Sequence, residues 1–575
     1  MSTDARPLAH RLAAASDAQL EDLLRVRSVR PDVDWDDFFD AAEALLEPAS
    51  LERALAALTR AEARTLKAAV DANASSDASE TPPSDATADA LVAFGLTDAT
   101  GRVLPPVAAL VASAPAIDDD PPAATAEASS AVAARAAERA FTTIGALADM
   151  LLAARSTPLS LVATGALSAS QRRRFAETED PADVRADDIR TLAEMTGLAR
   201  SLDRELRVTG TAESWIDSPF AARWAQVVEA FRGALPRGVR SGDGWIAAEQ
   251  WPQAHPWDAG WPDRAAHLRT LAIMLGLLAE DGTEPPWAAA LRAGGAADTA
   301  PLEALLPTEV DRLFLQNDLT AIAPGPLQPA LDNRLRAMTE HESAAQASSY
   351  RFTADSIARA LVEGETELGI LEFLREVSLT GVPQPLEYLV AQTAARHGLV
   401  RVGPDATGGT IVSSDDSHLL EAIAVDRNLR PMGLVRDGDR LRSRVSAQTV
   451  AWALTDARYP ATMVDSDGAG VAADRSRVAA ADHPEGVSYA PLIARLRARQ
   501  GPDADAAWLD RELEAAVRAR ALVLVEVAMP DGSSRELTLE ASGVGGGRLR
   551  GRDRAADVER TLPVRSIRSV RMLES

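Results

Sequence analysis

The chain has 575 residues, with 60 Lys and Arg against 85 Asp and Glu, and its formal net charge of −25 argues against broad, nonspecific attraction to nucleic acid. It contains no cysteine, which removes disulfide frameworks, Cys-ligated zinc, iron–sulfur clusters and thiol nucleophiles, and fits a reducing cytoplasm as the expected location. Length leaves room for about four cores at ~150 residues each, and heavy use of Ala favours helices, so the expected class is a predominantly helical α+β multidomain protein. Met1 to Ala15 carries charges and no apolar signal-peptide core, and the longest apolar run, around Leu271 to Ala279, falls well short of the ~20 residues of a membrane helix.

Residues 1–115 read as a helical, winged-helix-like unit. Asp17 is placed to cap a segment with Leu20, Leu23 and Leu24 at helical spacing, and Trp35, Phe38, Phe39, Leu45 and Leu46 supply a further apolar face. After the breaker-rich Thr81-Pro82-Pro83-Ser84 come a short helix, Ala88 to Phe94, and a hairpin over Leu96 to Leu104 around Gly101. Residues 116–130 read as a linker, and its Asp118-Asp119-Asp120 run as solvated acid rather than a cation site.

Residues 131–300 read as helical again, with a second winged-helix-like pattern whose hairpin lies near Glu205 to Val208. Arg172-Arg173-Arg174 is compact enough to neutralise phosphates, although a solvated helix end explains it more simply. Trp245, Trp251, Trp257 and Trp261 could stack on unpaired bases. Interleaved prolines and acids favour packing of an irregular loop on the following helix instead.

Residues 305–470 open with a short buried strand, Leu313-Phe314-Leu315, a polar turn at Gln316-Asn317-Asp318, and an apolar run from Leu319 to Ala323 stopped by Pro324-Gly325-Pro326. Helices follow at Ser356 to Leu361, at Gly369 to Ser378, and from Pro383 to Gly398. Leu399 to Val402 and Thr410 to Val412 then read as strand, wing and strand. Such a unit presents Gln392, Thr393 and Arg396 from its second helix and Arg401 from the wing's base, so Arg396 and Arg401 are candidate nucleic-acid contacts. His397 reads as a helix-end histidine favoured by the macrodipole. Arg436, Arg440, Arg442 and Arg444 form a second basic group among acids, and Asp465-Ser466-Asp467-Gly468 reads as a turn, lacking the ligands of a calcium loop.

Residues 471–487 read as a second linker and 488–575 as a final unit. Two helices, Tyr489 to Arg497 and Ala506 to Arg518, precede a clear strand, Ala521 to Met529, a Pro530-Asp531-Gly532-Ser533 turn, and further strands separated by a Gly543 to Gly547 turn. The expected architecture is a small, strongly bent β-barrel or sandwich. Arg548, Arg550, Arg560 and Arg565 in this Arg-rich end are the remaining candidate contacts.

Two resemblances sharpen these readings. LFLQNDLTAIAPGPL from Leu313, Tyr350-Arg351-Phe352-Thr353, Gly381-Val382-Pro383-Gln384-Pro385-Leu386 and His397 to Val402 together resemble the N-terminal, non-motor domain of XPB-type DNA helicases, a damage-recognition-like module. The end of the chain, closing on Arg560-Thr561-Leu562-Pro563-Val564-Arg565, resembles a WYL domain, an Sm/SH3-like barrel that binds nucleic acid or nucleotide-type effectors in bacterial regulators. The aromatic tripeptide that names that family is replaced by Arg548-Leu549-Arg550, which puts its usual effector site in question.

The helicase motor itself has no counterpart here. Lys67 is the sole lysine and lies in a helical pattern, so no Gly-rich P-loop with its phosphate-binding Lys exists. Nucleophile elbows, H-E-x-x-H and paired metal-spaced histidines are also missing, and no cofactor, metal or catalytic activity is expected. The leading expectation is a helicase-associated protein that binds single-stranded, forked or damaged duplex DNA beside a separate helicase or nuclease, away from any membrane. A WYL-type transcriptional regulator and a protein-interaction scaffold are the alternatives.

Overall fold

The computed structural model describes residues 5–74, 86–98, 100–117, 126–178, 185–343, 348–405, 408–457, 459–466, 471, 488–501, 504–529 and 533–573. The Asp118 to Asp120 run, the Pro530-Asp531-Gly532 turn, Asp467-Gly468 and most of the second expected linker lie outside the described residues. The chain is mixed α and β, about half helical, with five small sheets among the described residues. No described helix is long and apolar enough to cross a membrane.

Five apolar clusters organise the chain. The first spans Ala5 to Val111. Ser16, rather than Asp17, caps the helix Asp17–Val26, because its hydroxyl and the Gln19 side chain close a reciprocal capping box. The hairpin over Leu96 to Leu104 shrinks to one bridge, Thr97 to Val103, and a further helix, Pro105–Ala112, follows it. Arg27, 4 % exposed, holds this region from inside by donating to the Phe94 and Leu45 carbonyls and to Ser50 Oγ. Burial pushes its guanidinium down to about 10.

This first cluster also takes in Tyr489, Leu492, Ile493, Leu496 and Trp508, from the segment expected to open the final unit. The helix Ala490–Ala498 carries an apolar stripe that needs a partner, and the first cluster supplies it. Tyr489 donates to the Val29 carbonyl at 2.8 Å, and Arg511 bridges Asp37, Asp40 and Glu43. The two ends of the chain are therefore packed together.

The second cluster spans Ala128 to Leu302. Its helix Ser130–Ser156 leads into β1 (Leu159–Ser160), the helices Ala169–Thr178 and Ala186–Met195, then β2 (Ala199–Leu202) and β3 (Glu205–Val208), in the sheet order β1-β3-β2. Strands β4 (Arg240–Ser241) and β5 (Gly244–Trp245) form a separate ribbon. Trp245, Trp251 and Trp261 are buried, and Trp251 and Trp261 donate their indole N–H to the Ile246 and Trp251 carbonyls. These rings are core, as the interleaved prolines and acids suggest, and no face is left for a base.

The third cluster spans Leu313 to Val390. It joins β6 (Phe314–Leu315), β7 (Thr320–Ile322), β8 (Glu340–Ser343) and β9 (Ser349–Arg351), ordered β6-β7-β9-β8, to four helices, Pro329–Ala337, Ala354–Val362, Glu367–Val377 and Gln384–Arg396. Strand alternation sends Leu313 and Leu315 inward and leaves Phe314 40 % exposed, so the opening strand is buried on one face only. In the turn, Asp318 accepts from Thr320 N and Oγ1, and Leu319 takes φ 67°. Arg336 to Asp149 at 2.5 Å and Arg155 to Asn333 at 2.8 Å tie this unit to the second cluster.

The stretch expected as one unit over 305–470 contains another core, from Val400 to Ala461. Strands β10 (Val400–Pro404), β11 (Thr410–Ser413), β12 (Val435–Asp437), β13 (Arg440–Ser443) and β14 (Ala461–Met463) lie in the order β12-β13-β11-β10-β14. The expected hairpin is present as β10 and β11, but neither is a free wing strand. Strand β13 covers β11 and β14 covers β10, and the inner faces of both pack in the same core as helices Ser417–Val425 and Ala447–Asp456.

The fifth cluster lies under β15 (Leu522–Ala528), β16 (Ser534–Gly545), β17 (Arg548–Asp553), β18 (Val558–Pro563) and β19 (Ile567–Leu573), with the helix Ala504–Ala519 across it. The order is β18-β17-β16-β15-β19. The expected barrel is not closed: β18 and β19 form no ladder with each other, so both remain edges. The sheet is nevertheless curled, because those opposite edges are joined by only the short turn Val564–Ser566. A bulge between Ala541 and Gly543 lets the long β16 bend and serve two neighbours.

Candidate nucleic-acid interface

Two sheets present arginines outward, and strand alternation explains both. On β10 the side chains of Val400 and Val402 enter the core, so Arg401 faces out. Register carries this position across all five strands: Asp437 on β12, Arg440 on β13, Ser413 on β11, Arg401 on β10 and Thr462 on β14 form one transverse row. Arg442 stands two residues along β13 on the same face. The structure thus joins Arg401 to the second basic group, which the sequence places some forty residues away.

Each of these arginines has an acid. Arg442 lies 3.1 Å from Asp437 and 3.3 Å from Asp405, Arg440 lies 3.7 Å from Asp439, and Arg401 lies 3.9 Å from Asp415. Arg396 ends its helix exposed, on a separate element. His397 at that helix's C-cap contacts Thr462 Oγ1 at 2.7 Å, and burial lowers its pKa, so desolvation outweighs the macrodipole and the ring is neutral near pH 7.

The C-terminal sheet differs. Along β17, Leu549, Gly551 and Asp553 turn inward while Arg548, Arg550 and Arg552 face solvent. Directly across from Arg548 stand Gly545 on β16 and Pro563 on β18, and across from Arg550 stand Gly543 and Thr561. Neither Arg548 nor Arg550 has a carboxylate within ion-pairing distance among the described residues. Arg552 does, reaching Asp557 at 2.7 Å.

Glycine has two separate uses in this corner. Gly546 and Gly547 both adopt positive φ, 59° and 70°, as a two-residue turn between twisted strands requires. Gly543 and Gly545 do not, and a Cβ on either would meet open space. They leave a bare strip of backbone beside two arginines, open to close approach by a ligand.

Arg565 shares this corner. Its turn is pinned by Val564 N donating to the Gly547 carbonyl at 2.9 Å, at the end of the sheet where Arg548 begins β17. Arg560 has a different task. Its Nε lies 2.5 Å from Asp553 Oδ2, and Asp553, 2 % exposed, also accepts from Ala555 N and Ala556 N. That ring of donors, Arg560 first, holds the Asp553 carboxyl below the usual range. Arg548, Arg550 and Arg565 are therefore grouped, Arg560 is an internal fastener, and Arg396 and Arg401 lie on other elements.

Residues 313–437 match the protein family described as helicase conserved C-terminal domain. The match begins at the strand that carries Leu313 and ends on β12, so it crosses both the third and the fourth cores. It covers less than a quarter of the chain, and the segment is similar to a helicase-type domain. No curated protein matches the chain.

The helix Ala186–Met195 occupies the place of a recognition helix in the pattern read over 131–300. It carries Asp187, Asp188 and Glu194, and its one arginine, Arg190, is bound to Asp187 and Glu194. Arg172 lies 4.0 Å from Asp187. This surface is acidic or self-neutralised and unsuited to a phosphate backbone. Neither the role of Arg442 nor the spacing of the glycines is visible without register, although the alternation R-L-R-G-R-D from Arg548 already signals a one-sided row.

Proposed function

We propose that the protein is a non-catalytic, helicase-associated factor that binds DNA and works beside a separate motor in repair or processing. The observation that carries this reading is the helicase-type segment at 313–437 in a chain with no P-loop. The XPB-like order of LFLQND, PGPL and GVPQPL supports it. So does the unpaired Arg548–Arg550–Arg565 corner, which offers local positive charge on a chain of net charge −25. Screening confines charge interactions to about 10 Å at 0.1 M salt, so one such corner can hold a phosphate backbone despite the acidic whole. Single-stranded, forked or damaged DNA is the favoured ligand class, because a bare glycine strip admits unstacked strands.

The domain reading that goes with this takes 305–470 as the helicase-type part and 488–575 as the DNA-contacting module. Fluorescence anisotropy with single-stranded, duplex and forked DNA over a salt series tests it. Tighter binding to forks or single strands, with a negative log–log salt slope, supports the reading. No binding at ~50 mM salt contradicts it.

A second reading, a WYL-type regulator, is favoured by one observation: the helix Ala504–Ala519 followed by five strands, the last returning beside the first. Ligand-dependent affinity for one defined duplex sequence would select it.

A further inference from the structure

One helix of the third cluster turns a polar face to solvent. The helix Gln384–Arg396 buries Leu386 and Val390 in that cluster, together with Ile357 and Phe373 of the two preceding helices. On the other side Gln384, Tyr388, Gln392 and Arg396 are exposed, Tyr388 by 66 %. Spaced four residues apart, they advance by about 40° each and cover about 120° of the helix surface, an arc shared only with Pro385 and Ala395. Thr393, expected among the outward side chains, is 8 % exposed and donates its hydroxyl to the Leu389 carbonyl at 2.8 Å, so it belongs to the packed side.

The arc holds no carboxylate, although the chain has 85 Asp and Glu. Glu387 stands beside it, and Arg375 of the preceding helix lies 3.4 Å from Glu387. The side chains of Gln384, Tyr388, Gln392 and Arg396 have no hydrogen-bond or ion-pair partner among the described residues. The helix Ala186–Met195 is the opposite case, since it carries Asp187, Asp188 and Glu194 and its one arginine is already bound to two of them. On Gln384–Arg396 two amides, a phenol and a guanidinium remain available to a ligand.

We propose that the helix Gln384–Arg396 lies in the major groove of duplex DNA and reads base edges there. The inference rests on the DNA-binding reading above, and it gives the duplex arm of a fork a contact separate from the C-terminal arginine corner. The chemistry of the arc selects this occupant. A major groove ~12 Å wide admits one α-helix. Glutamine amides pair with adenine N6 and N7, the short Ala395 permits close approach to a thymine methyl, and Arg396 reaches a guanine or a phosphate from one end. A protein partner calls for an apolar centre, whereas this arc offers one aromatic ring among polar groups. The helix also lies inside the 313–437 segment that is similar to a helicase-type domain.

The test passes a pool of random-core duplexes over the full chain and sequences those retained. The enriched duplex then enters anisotropy titrations beside oligo-dT, and a dimethyl sulfate interference assay, in which methyl groups mark guanine N7 in the major groove and adenine N3 in the minor groove. Guanine N7 methylation within the site should block the wild type. Tyr388→Ala/Gln392→Ala should bind the enriched duplex about tenfold more weakly and oligo-dT equally. Both positions are exposed and Ala is the strongest helix former, so the melting temperature should not fall. Arg548→Ala/Arg550→Ala should lose oligo-dT affinity and keep the N7 pattern. A pool with no enriched sequence, interference confined to adenine N3, or equal duplex affinity in Tyr388→Ala/Gln392→Ala overturns this inference and leaves DNA binding standing. Absence of wild-type binding to every duplex and to oligo-dT overturns the DNA-binding reading, and this inference with it.

Discussion

The two sheets that expose arginines, β10 to β14 and β15 to β19, use the same alternation and reach opposite electrostatic ends. On the first, Arg401, Arg440 and Arg442 each meet an aspartate, and the row is a self-neutralised surface. On the second, Arg548 and Arg550 stand between glycines, a proline and a threonine, and the charge stays available. Counting arginines does not separate these surfaces; cross-strand register does. An exposed ion pair contributes little to stability, so the aspartates of the first sheet matter chiefly for what they stop that surface from attracting.

The largest effect should come from turning the second surface into the first. Gly543→Asp and Gly545→Asp place carboxylates directly across from Arg550 and Arg548, and a Cβ at either site meets open space. DNA affinity should fall about tenfold at low salt, with the melting temperature unmoved; unchanged affinity would break the comparison. The converse change, Asp405→Asn with Asp437→Asn, frees Arg442 and should tighten binding by roughly two- to fivefold in an anisotropy titration.

Much of this is legible in the sequence alone. The LFLQND hairpin, the helices of 354–396, the β10–β11 pair and the one-sided run from Arg548 follow from alternation and breakers. The hidden part depends on tertiary pairing. Arg401 and Arg440 share a row only because β11 lies between their strands, and the helix Ala490–Ala498 looks like the start of a C-terminal unit until its stripe is found in the N-terminal core. The barrel stays open because its closure needs a β18–β19 ladder, which turn residues alone do not specify.

Smaller effects test the supports of each sheet. Asp553→Asn keeps an oxygen to accept from the two backbone N–H groups but puts an NH2 where Arg560 needs a charged acceptor, so the C-terminal sheet should melt earlier in circular dichroism. The same carboxylate has a lowered pKa in the folded chain, so its contribution is present above the unfolded value of about 3.8 and is lost as pH falls through the folded value.

Two histidines add an acid-sensitive contribution of the same sign but opposite cause, since burial disfavours their charged form. His397, beside β14 of the first sheet, and His255, against the Leu58 carbonyl away from it, have pKa values lowered by burial, so the unfolded chain binds protons more readily below about 6.5. Stability should fall as pH drops below that value. His397→Gln should reduce the dependence slightly, read from melting temperatures across pH 5 to 7.

The most direct measurement is the salt dependence of forked-DNA binding by the wild-type chain, by Arg548→Ala/Arg550→Ala, and by Arg401→Ala/Arg440→Ala. The account predicts a log–log slope shallower by about 2 for the first variant and nearly unchanged for the second. Equal slopes for the wild type and Arg548→Ala/Arg550→Ala, or a loss confined to Arg401→Ala/Arg440→Ala, would contradict it.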